Sequence, residues 1–201
     1  MRAAVLRASG AAVEIEELDL EAPRQGEVRI EVAASGICHS DLSVADGTLR
    51  SPLPVVLGHE AAGTVVEVGK EVDNVRPGDR VVVALSPACG QCLFCKDGRP
   101  YLCVQMVPGM ISMTMLDGST RLSSGTQQVY QSCGVASFAE QAVVAAGACI
   151  PVPPAVPLKR ACLLGCGVIT GAGSVFNTAA VKDGMTVAVI GCGGVGLSAV
   201  Q

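Results

Sequence analysis

Apolar and polar residues alternate along Val28-Arg-Ile-Glu-Val32, the period of a strand with one buried face. Gly63-Thr-Val-Val-Glu-Val-Gly69 predicts a second strand set between glycines, and the nearly all-apolar Arg80-Val-Val-Val-Ala84 predicts a short buried one. Asn74-Val-Arg-Pro-Gly-Asp79, just ahead of it, predicts a turn, because Pro sets one φ and Gly frees the next. Short strands broken by frequent turns predict a barrel or sandwich over roughly the first 150 residues. Pro108 to Ser132, rich in Met, Ser, Thr, Gly and Gln, predicts a long surface loop. Pro151-Val-Pro-Pro-Ala-Val-Pro157 predicts an extended connector, since proline favours polyproline II and cannot donate to a ladder. From Leu158 the pattern predicts partial helix, weakened by Gly165, Gly167, Gly171 and Gly173. Thr186-Val-Ala-Val-Ile190 then predicts a short buried strand, with a helix starting at Leu197.

Composition narrows the choices. The chain has 201 residues, half of them hydrophobic, enough for one full domain and part of another. Aromatics are 2% with no Trp, so the core must be built from Val, Ala, Leu and Ile. The net charge of −4 and the absence of any Lys/Arg run argue against a nucleic-acid partner. No apolar run reaches the roughly 18 residues of a membrane span, and the first residues lack a signal-peptide core. A cytoplasmic protein with reduced thiols is the expectation.

Cys89-Gly-Gln-Cys92-Leu-Phe-Cys95, closed by Cys103, is a compact set of four thiols. Four thiolates can surround one Zn²⁺ tetrahedrally and leave no position for a substrate, so this metal would be structural. Lys96 and Arg99 in the same loop would offset the formal −2 charge. Disulfides or unrelated thiols are the alternative, and disulfides belong to oxidising compartments.

The two histidines, His39 and His59, lie in Ile37-Cys38-His39-Ser40-Asp41 and Leu57-Gly58-His59-Glu60. Far downstream, Gly165-Cys166-Gly167 sets a thiol between residues of little bulk. Cys38, His59 and Cys166 would make a Cys₂His set with an open position, able to acidify an alcohol or polarise a carbonyl. Three unrelated structural side chains are the alternative, because separation along the chain does not show proximity. Gly191-Cys-Gly193-Gly-Val-Gly196 follows the Thr186–Ile190 run at once and precedes a helix start, the context of a dinucleotide-binding strand–turn–helix. The acidic residue expected about 20 positions on, which would bind ribose, lies past Gln201.

Together, Gly36-Ile-Cys38-His-Ser-Asp41, Gly58-His59-Glu60, the four-cysteine run, Gly165-Cys166-Gly167 and the glycine loop resemble the zinc-dependent medium-chain alcohol dehydrogenases. The motifs stand in that family's order, and the resemblance covers the whole chain but about the first half of a family member. It implies a mainly β GroES-like barrel catalytic domain over 1–157, with a structural-zinc lobe at 89–103. Residues 158–201 would be an inter-domain helix and the truncated start of an α/β Rossmann coenzyme domain. It implies two zinc ions: Cys38, His59 and Cys166 on the catalytic one, and Cys89, Cys92, Cys95 and Cys103 on the structural one. Ser40 would pass the substrate proton outward, Asp41 would orient His59, and Glu60 would lie behind the metal. His39, Thr170, Gly191, Gly193, Gly194, Val195 and Gly196 would meet the coenzyme, NAD with NADP not excluded. Ser43 stands where many relatives carry a relay histidine. The long stretch from Cys103 to Cys166 resembles the longer, liver-type and formaldehyde-oxidising subgroup, which implies a homodimer at full length. The implied activity is hydride transfer between an alcohol or aldehyde and a nicotinamide cofactor. A zinc-binding fragment without dehydrogenase activity is the competing expectation, and a thiol redox protein fits the cysteine spacing poorly.

Overall fold

A computed structural model describes residues 1–85 and 87–201. The chain begins with strands β1 (Arg2–Leu6), β2 (Glu14–Glu17), β3 (Asp19–Leu20) and β4 (Glu27–Gly36). Helix α1 (His39–Ala45), strands β5 (Val55–Val56), β6 (Glu60–Val68) and β7 (Arg80–Val83), and helices α2 (Leu93–Lys96) and α3 (Met106–Ser112) come next. Strands β8 (Leu122–Ser124), β9 (Gln127–Gln131), β10 (Gln141–Ala145) and β11 (Cys149–Pro151) continue the chain. Helices α4 (Leu158–Ala161), α5 (Gly167–Gly173) and α6 (Gly194–Val200) end it.

The strands form two sheets, one in the order β2-β1-β5-β9-β8-β3 and one in the order β10-β4-β6-β7-β11. Residues 138–140 bridge them: the Ala4 N–H donates to the Phe138 carbonyl (2.8 Å) and the Val32 N–H to the Glu140 carbonyl (2.9 Å). That shared edge curls the sheets into a nearly closed mixed-strand barrel. Val28 and Ile30 of β4, Val65 of β6, Val81 and Val83 of β7 and Val144 of β10 fill its interior. Arg29, between the first two of these, points outward and reaches Glu67 at 3.3 Å. Burying each Val or Ile stabilises by roughly 1.5–3 kcal/mol, so branched aliphatics take the place of aromatics in the core.

The β4–β6 register positions the candidate site. The two strands pair antiparallel, with Gly36 opposite Glu60 and bulges between Arg29 and Ile30 and between Val32 and Ala34. Cys38 lies two residues past the end of β4, and His59 sits just before β6.

Two expectations are corrected. Pro108 to Ser132 is not a long surface loop. It holds most of α3 and the β8–β9 hairpin, whose two-residue turn is Gly125-Thr126 with Gly125 at φ 58°. Pro108 is tolerated because it lies in the first turn of α3, where its missing N–H has no helical partner to lose. The hairpin strands, Leu-Ser-Ser and Gln-Gln-Val-Tyr-Gln, are mostly polar, yet Leu122, Val129 and Gln131 turn inward. The Gln131 amide Nε2 donates to the Val143 carbonyl at 3.2 Å, which lets a polar residue hold a core position. Thr186–Ile190 is likewise not a buried strand. It pairs with no strand among the described residues, and Ile190 is 99% exposed. A strand needs a hydrogen-bonding neighbour, which a β-prone run cannot supply for itself. Among the described residues, no single helix is long and apolar enough to cross a membrane.

A buried ion pair ties the two sheets together. The Arg121 guanidinium, fully buried, donates through both Nε and Nη2 to the Glu27 carboxylate, and through Nη2 to Asp117 at 2.8 Å. Arg121→Ala would strand Glu27 without its cation. Removing one partner of a buried pair costs about 3–5 kcal/mol. Urea unfolding of Arg121→Ala against wild type is expected to show a loss of that size, and a loss within experimental error would contradict the role given to the pair.

Candidate metal centre

The β4–β6 register places the first donors. α1 starts at Cys38, whose extended backbone caps the helix, and the Cys38 N–H donates to Asp41 Oδ2 at 2.9 Å. Asp41, itself buried, uses Oδ1 twice: it accepts the Gly58 N–H at 3.1 Å and lies 3.3 Å from His59 Nδ1. His59 is thereby oriented through one ring nitrogen, leaving Nε2 for a metal. Gly58 has φ 90°, a conformation that L side chains rarely adopt. A Cβ there would also sit 2.6 Å from Ser137 Oγ.

The remaining sulfur arrives from far downstream. The Leu85 N–H donates to the Gly165 carbonyl (3.3 Å), docking the segment before α5 onto the end of β7. A Cβ on Gly165 would meet the Val83 carbonyl at 2.5 Å, so glycine is needed here for close packing against the sheet rather than for access to the thiol. Cys166 is then the N-cap of α5. Cys38, His59, Glu60 and Cys166 each offer a donor atom, all within 4.8 Å of one another.

The electrostatics fit a cation. Glu60 is buried, and its carboxylate accepts no hydrogen bond from any described residue. A Cβ on Gly36 would overlap Glu60 Oε2, so that glycine makes room for the carboxylate. Burial would push the Asp41 carboxyl up, but His59 and the Cys38 and Gly58 N–H groups hold it below its ordinary value. Burial pulls His59 down, and Asp41 and then Cys38 outweigh it and raise the imidazole. Burial opposes ionisation of Cys38, yet Ser40 and His59 lower it, whereas Cys166 is pushed up to about 12 by burial and then by Cys38 and Glu60. Two sulfurs, an imidazole and a carboxylate suit Zn²⁺ in either a closed or an open tetrahedral arrangement.

The second cluster is local. Cys89, Cys92, Cys95 and Cys103 also lie within 4.8 Å of one another, with Sγ–Sγ separations of 3.5 Å for Cys92–Cys95 and 4.0 Å for Cys89–Cys95. Those separations bracket the roughly 3.8 Å edge of a tetrahedron with 2.3 Å Zn–S arms and exceed an S–S bond. The Cys89 N–H points at Cys103 Sγ (3.3 Å) and the Cys92 N–H at Cys89 Sγ (3.4 Å), dipoles that favour thiolates. Cys92 is lowered to about 6, first by the Cys95 N–H, while burial and its bond to Cys92 raise Cys95 to about 12. Arg99, in the same loop, pairs with Asp97 at 2.5 Å and stacks 5.2 Å from the Phe94 ring centre.

Beside the first cluster lies a cavity of about 320 Å³. Ser40, Asp41, His59 and Cys166 line its polar side; Val44, Leu49, Leu85, Met110, Ile111 and Met113 line its apolar side. Arg50, Ser132 and Cys133 complete it, and Cys133 holds a left-handed φ of 53°. The α3 and Ser132–Cys133 contributions escape a reading that treats Pro108 to Ser132 as surface loop; the methionines of that stretch are the signal that could have revealed a packed wall. Of the coenzyme candidates, His39 and Thr170 are exposed, and Thr170 Oγ1 donates to the Cys166 carbonyl at 2.7 Å. Gly191 has φ 101°, and the loop through Val195 is exposed. A Cβ on Gly171 would sit 2.8 Å from Ser198 Cβ, so the close approach of α5 and α6 ties the glycine loop to the helix capped by Cys166.

A nearly closed barrel carrying two such donor clusters is a β protein whose side chains could hold metal ions. The family described as alcohol dehydrogenase GroES-like domain matches residues 24–154, and the chain belongs to it. It is 45% identical over 201 residues to S-(hydroxymethyl)glutathione dehydrogenase of Escherichia coli (O1:K1 / APEC), covering 100% of this chain and 54% of that relative. It superposes on the alcohol dehydrogenase zinc-binding domain protein from Burkholderia ambifaria with a TM-score of 0.93 and 41% identity, over 99% of this chain and 54% of that one. For benzyl alcohol dehydrogenase from Acinetobacter calcoaceticus the TM-score is 0.90 and the identity 34%, over 98% and 53%. The chain spans about half the length of the curated relatives it matches.

Metal uptake must displace protons, because the ligands bind deprotonated. At the Cys38–His59–Cys166 cluster the Cys166 proton leaves at any pH below about 12, and a second proton leaves once the pH is below the raised value of His59. Calorimetry of Zn²⁺ binding in buffers of different ionisation enthalpy is expected to show more protons released per ion at this site near pH 6, where the raised His59 is protonated, than near pH 9. Cys166→Ser isolates the site by difference. Equal proton release at both pH values would contradict the His59 assignment.

Proposed function

We propose that this chain is the metal-holding and alcohol-binding portion of a zinc-dependent oxidoreductase that exchanges hydride between an alcohol or aldehyde and a nicotinamide cofactor. The observation that carries the reading is the convergence of Cys38, His59, Glu60 and Cys166 within 4.8 Å beside an apolar cavity. In this reading Cys38, His59 and Cys166 hold one zinc with Glu60 behind it, and Cys89, Cys92, Cys95 and Cys103 hold a second, structural zinc. Bound zinc supplies Lewis acidity toward an alcohol or carbonyl oxygen.

The chain's own residues do the rest. Asp41 holds His59 in its ligand tautomer through the 3.3 Å contact to Nδ1. Ser40 Oγ, exposed and lining the cavity, accepts the substrate hydroxyl proton and hands it to solvent, since Ser43 offers no imidazole for a longer relay. Val44, Leu49 and Leu85 exclude water from the reacting oxygen. His39, Thr170, Gly191, Gly193, Gly194, Val195 and Gly196 would hold NAD or NADP, with Gly196 too close to the Gly191 carbonyl for any side chain. The division into a barrel at 1–157 and a coenzyme-domain start at 158–201, a homodimeric full-length form and a cytoplasmic setting that keeps thiols reduced belong to the same proposal.

A second reading has its own support. Thr186–Ile190 pairs with no described strand, so the glycine loop lacks the sheet that would brace it. On this reading residues 1–201 bind zinc but not coenzyme. Anaerobic purification followed by metal analysis is expected to give about two zinc per chain on both readings. Fluorescence titration with NADH separates them: saturable binding by residues 1–201 supports a catalytically complete chain, and none supports the fragment. In a form that turns over alcohol, Ser40→Ala should lower kcat by about 10²-fold or more, the usual worth of a positioned proton acceptor. A kcat within twofold of wild type would remove Ser40 from the proton path.

A further inference from the structure

Six of the ten cysteines belong to the two donor clusters. Of the other four, Cys149 and Cys162 are buried and Cys192 is exposed on the glycine loop. The fourth, Cys133, lines the cavity beside the metal donors. It is half-buried, on the Ser132–Gly134 turn that follows β9. The Val135 N–H closes that turn on the Ser132 carbonyl at 2.9 Å, and a Cβ on Gly134 would sit 3.1 Å from the Thr114 carbonyl. The turn is therefore packed close against the segment after α3, and the thiol is held in the cavity wall.

The floor of the same cavity is suited to a carbonyl oxygen. His59 and Cys166 line it, and with Cys38 and Glu60 they gather four donors within 4.8 Å. Glu60 is 4% exposed and accepts no hydrogen bond from any described residue, so the cluster fits a cation, and a cation there orients an oxygen. The carbon chain of such a guest lies along the wall, where Cys133 stands with Val44, Leu49 and Met110. Burial first, with Asp41 and Cys38 adding to it against Ser132, pushes the Cys133 thiol up to about 11. A reagent arriving from bulk solvent meets such a thiol slowly, because the thiolate is the nucleophile. An electrophile already seated beside it needs no such encounter, and well-oriented partners reach effective concentrations of about 10⁵ M or more.

We infer that Cys133 is a covalent modification site for α,β-unsaturated aldehydes held in this cavity, with the aldehyde oxygen toward the donor cluster and the β carbon against the Cys133 sulfur. A sulfur lone pair forms the bond to the β carbon as the C=C π pair shifts to give the enolate, and the thiol proton ends on the α carbon. Nothing is oxidised or reduced in that addition. A saturated aldehyde has no electrophilic β carbon and escapes it. The cavity of about 320 Å³ is at the small end of ligand pockets and admits a short-chain enal. Formation of the enal in place, from an allylic alcohol, rests on the proposed dehydrogenase activity, in which coenzyme takes the hydride and Ser40 the hydroxyl proton. Capture of the enal rests on the cavity alone.

The first test needs no turnover. The zinc-loaded 201-residue chain is treated with 2-hexenal, hexanal or iodoacetamide, and the modified peptides are identified by mass spectrometry. 2-Hexenal should add its whole mass to Cys133, and hexanal should leave no such adduct. The exposed Cys192 is the internal reference: the Cys133-to-Cys192 labelling ratio should be about tenfold or more higher with 2-hexenal than with iodoacetamide. Cys133→Ala should lose the cavity adduct while Cys192 still labels. Equal ratios for the two reagents overturn the inference, and so does an adduct on Cys38 or Cys166 in place of Cys133. The second test uses the zinc-loaded protein extended to the length of its relatives, with coenzyme. Its rate with 2-hexen-1-ol should decay during turnover about tenfold faster than with 1-hexanol, and Cys133→Ala should remove the difference. Equal decay with both alcohols overturns the inference. A wild-type protein that oxidises neither alcohol sinks the dehydrogenase reading, while the adduct measurement still decides Cys133.

Discussion

The pairing of β4 with β6 is the constraint on which the site depends. With Gly36 opposite Glu60, the residues just beyond one strand end and just before the other become neighbours, and these are Cys38 and His59. A slip of one residue would turn Glu60 to the other face of the sheet and carry His59 away from Cys38. Two bulges and the alternation of Val28 and Ile30 into the core hold that register, so the hydrophobic interior that stabilises the barrel also sets the spacing of the donors. β7 extends the same sheet, and its end receives Gly165, which delivers Cys166.

The charges at this sheet end are arranged to be incomplete without a guest. Asp41 is fully used: two backbone N–H groups and an imidazole account for its negative charge. Glu60, one residue after His59 and equally buried, has no such company. A divalent ion shared with Cys38, His59 and Cys166 would offset the charge of such a carboxylate. Two neighbouring carboxylates thus take different tasks, one fixing a ligand and one awaiting a cation, and their hydrogen-bond partners make the difference.

The mispredicted segments show where local pattern stops being informative. In Pro108–Ser132 the polar strands of the β8–β9 hairpin look like loop because only Leu122, Val129 and Gln131 turn inward, and one of those is polar. Gln131 belongs in the core only because the Val143 carbonyl is there to meet it. Thr186–Ile190 fails in the opposite sense: every residue has strand character, but no described neighbour completes the ladder.

Short separations along the chain are what residue order can enforce unaided. Cys89, Cys92, Cys95 and Cys103 span so few residues that almost any compact loop gathers their sulfurs, and the apolar patterns of β4 and β7 declare a buried face without help from the rest of the chain. The meeting of Cys38, His59 and Cys166 is different in kind. More than a hundred residues separate the last two, and only the barrel's register and the docking of Gly165 on β7 bring them together. The apolar cavity wall and the exposed Arg50 at its rim arise in the same way, from segments whose proximity is a property of the closed sheet and is written in no single stretch of residues.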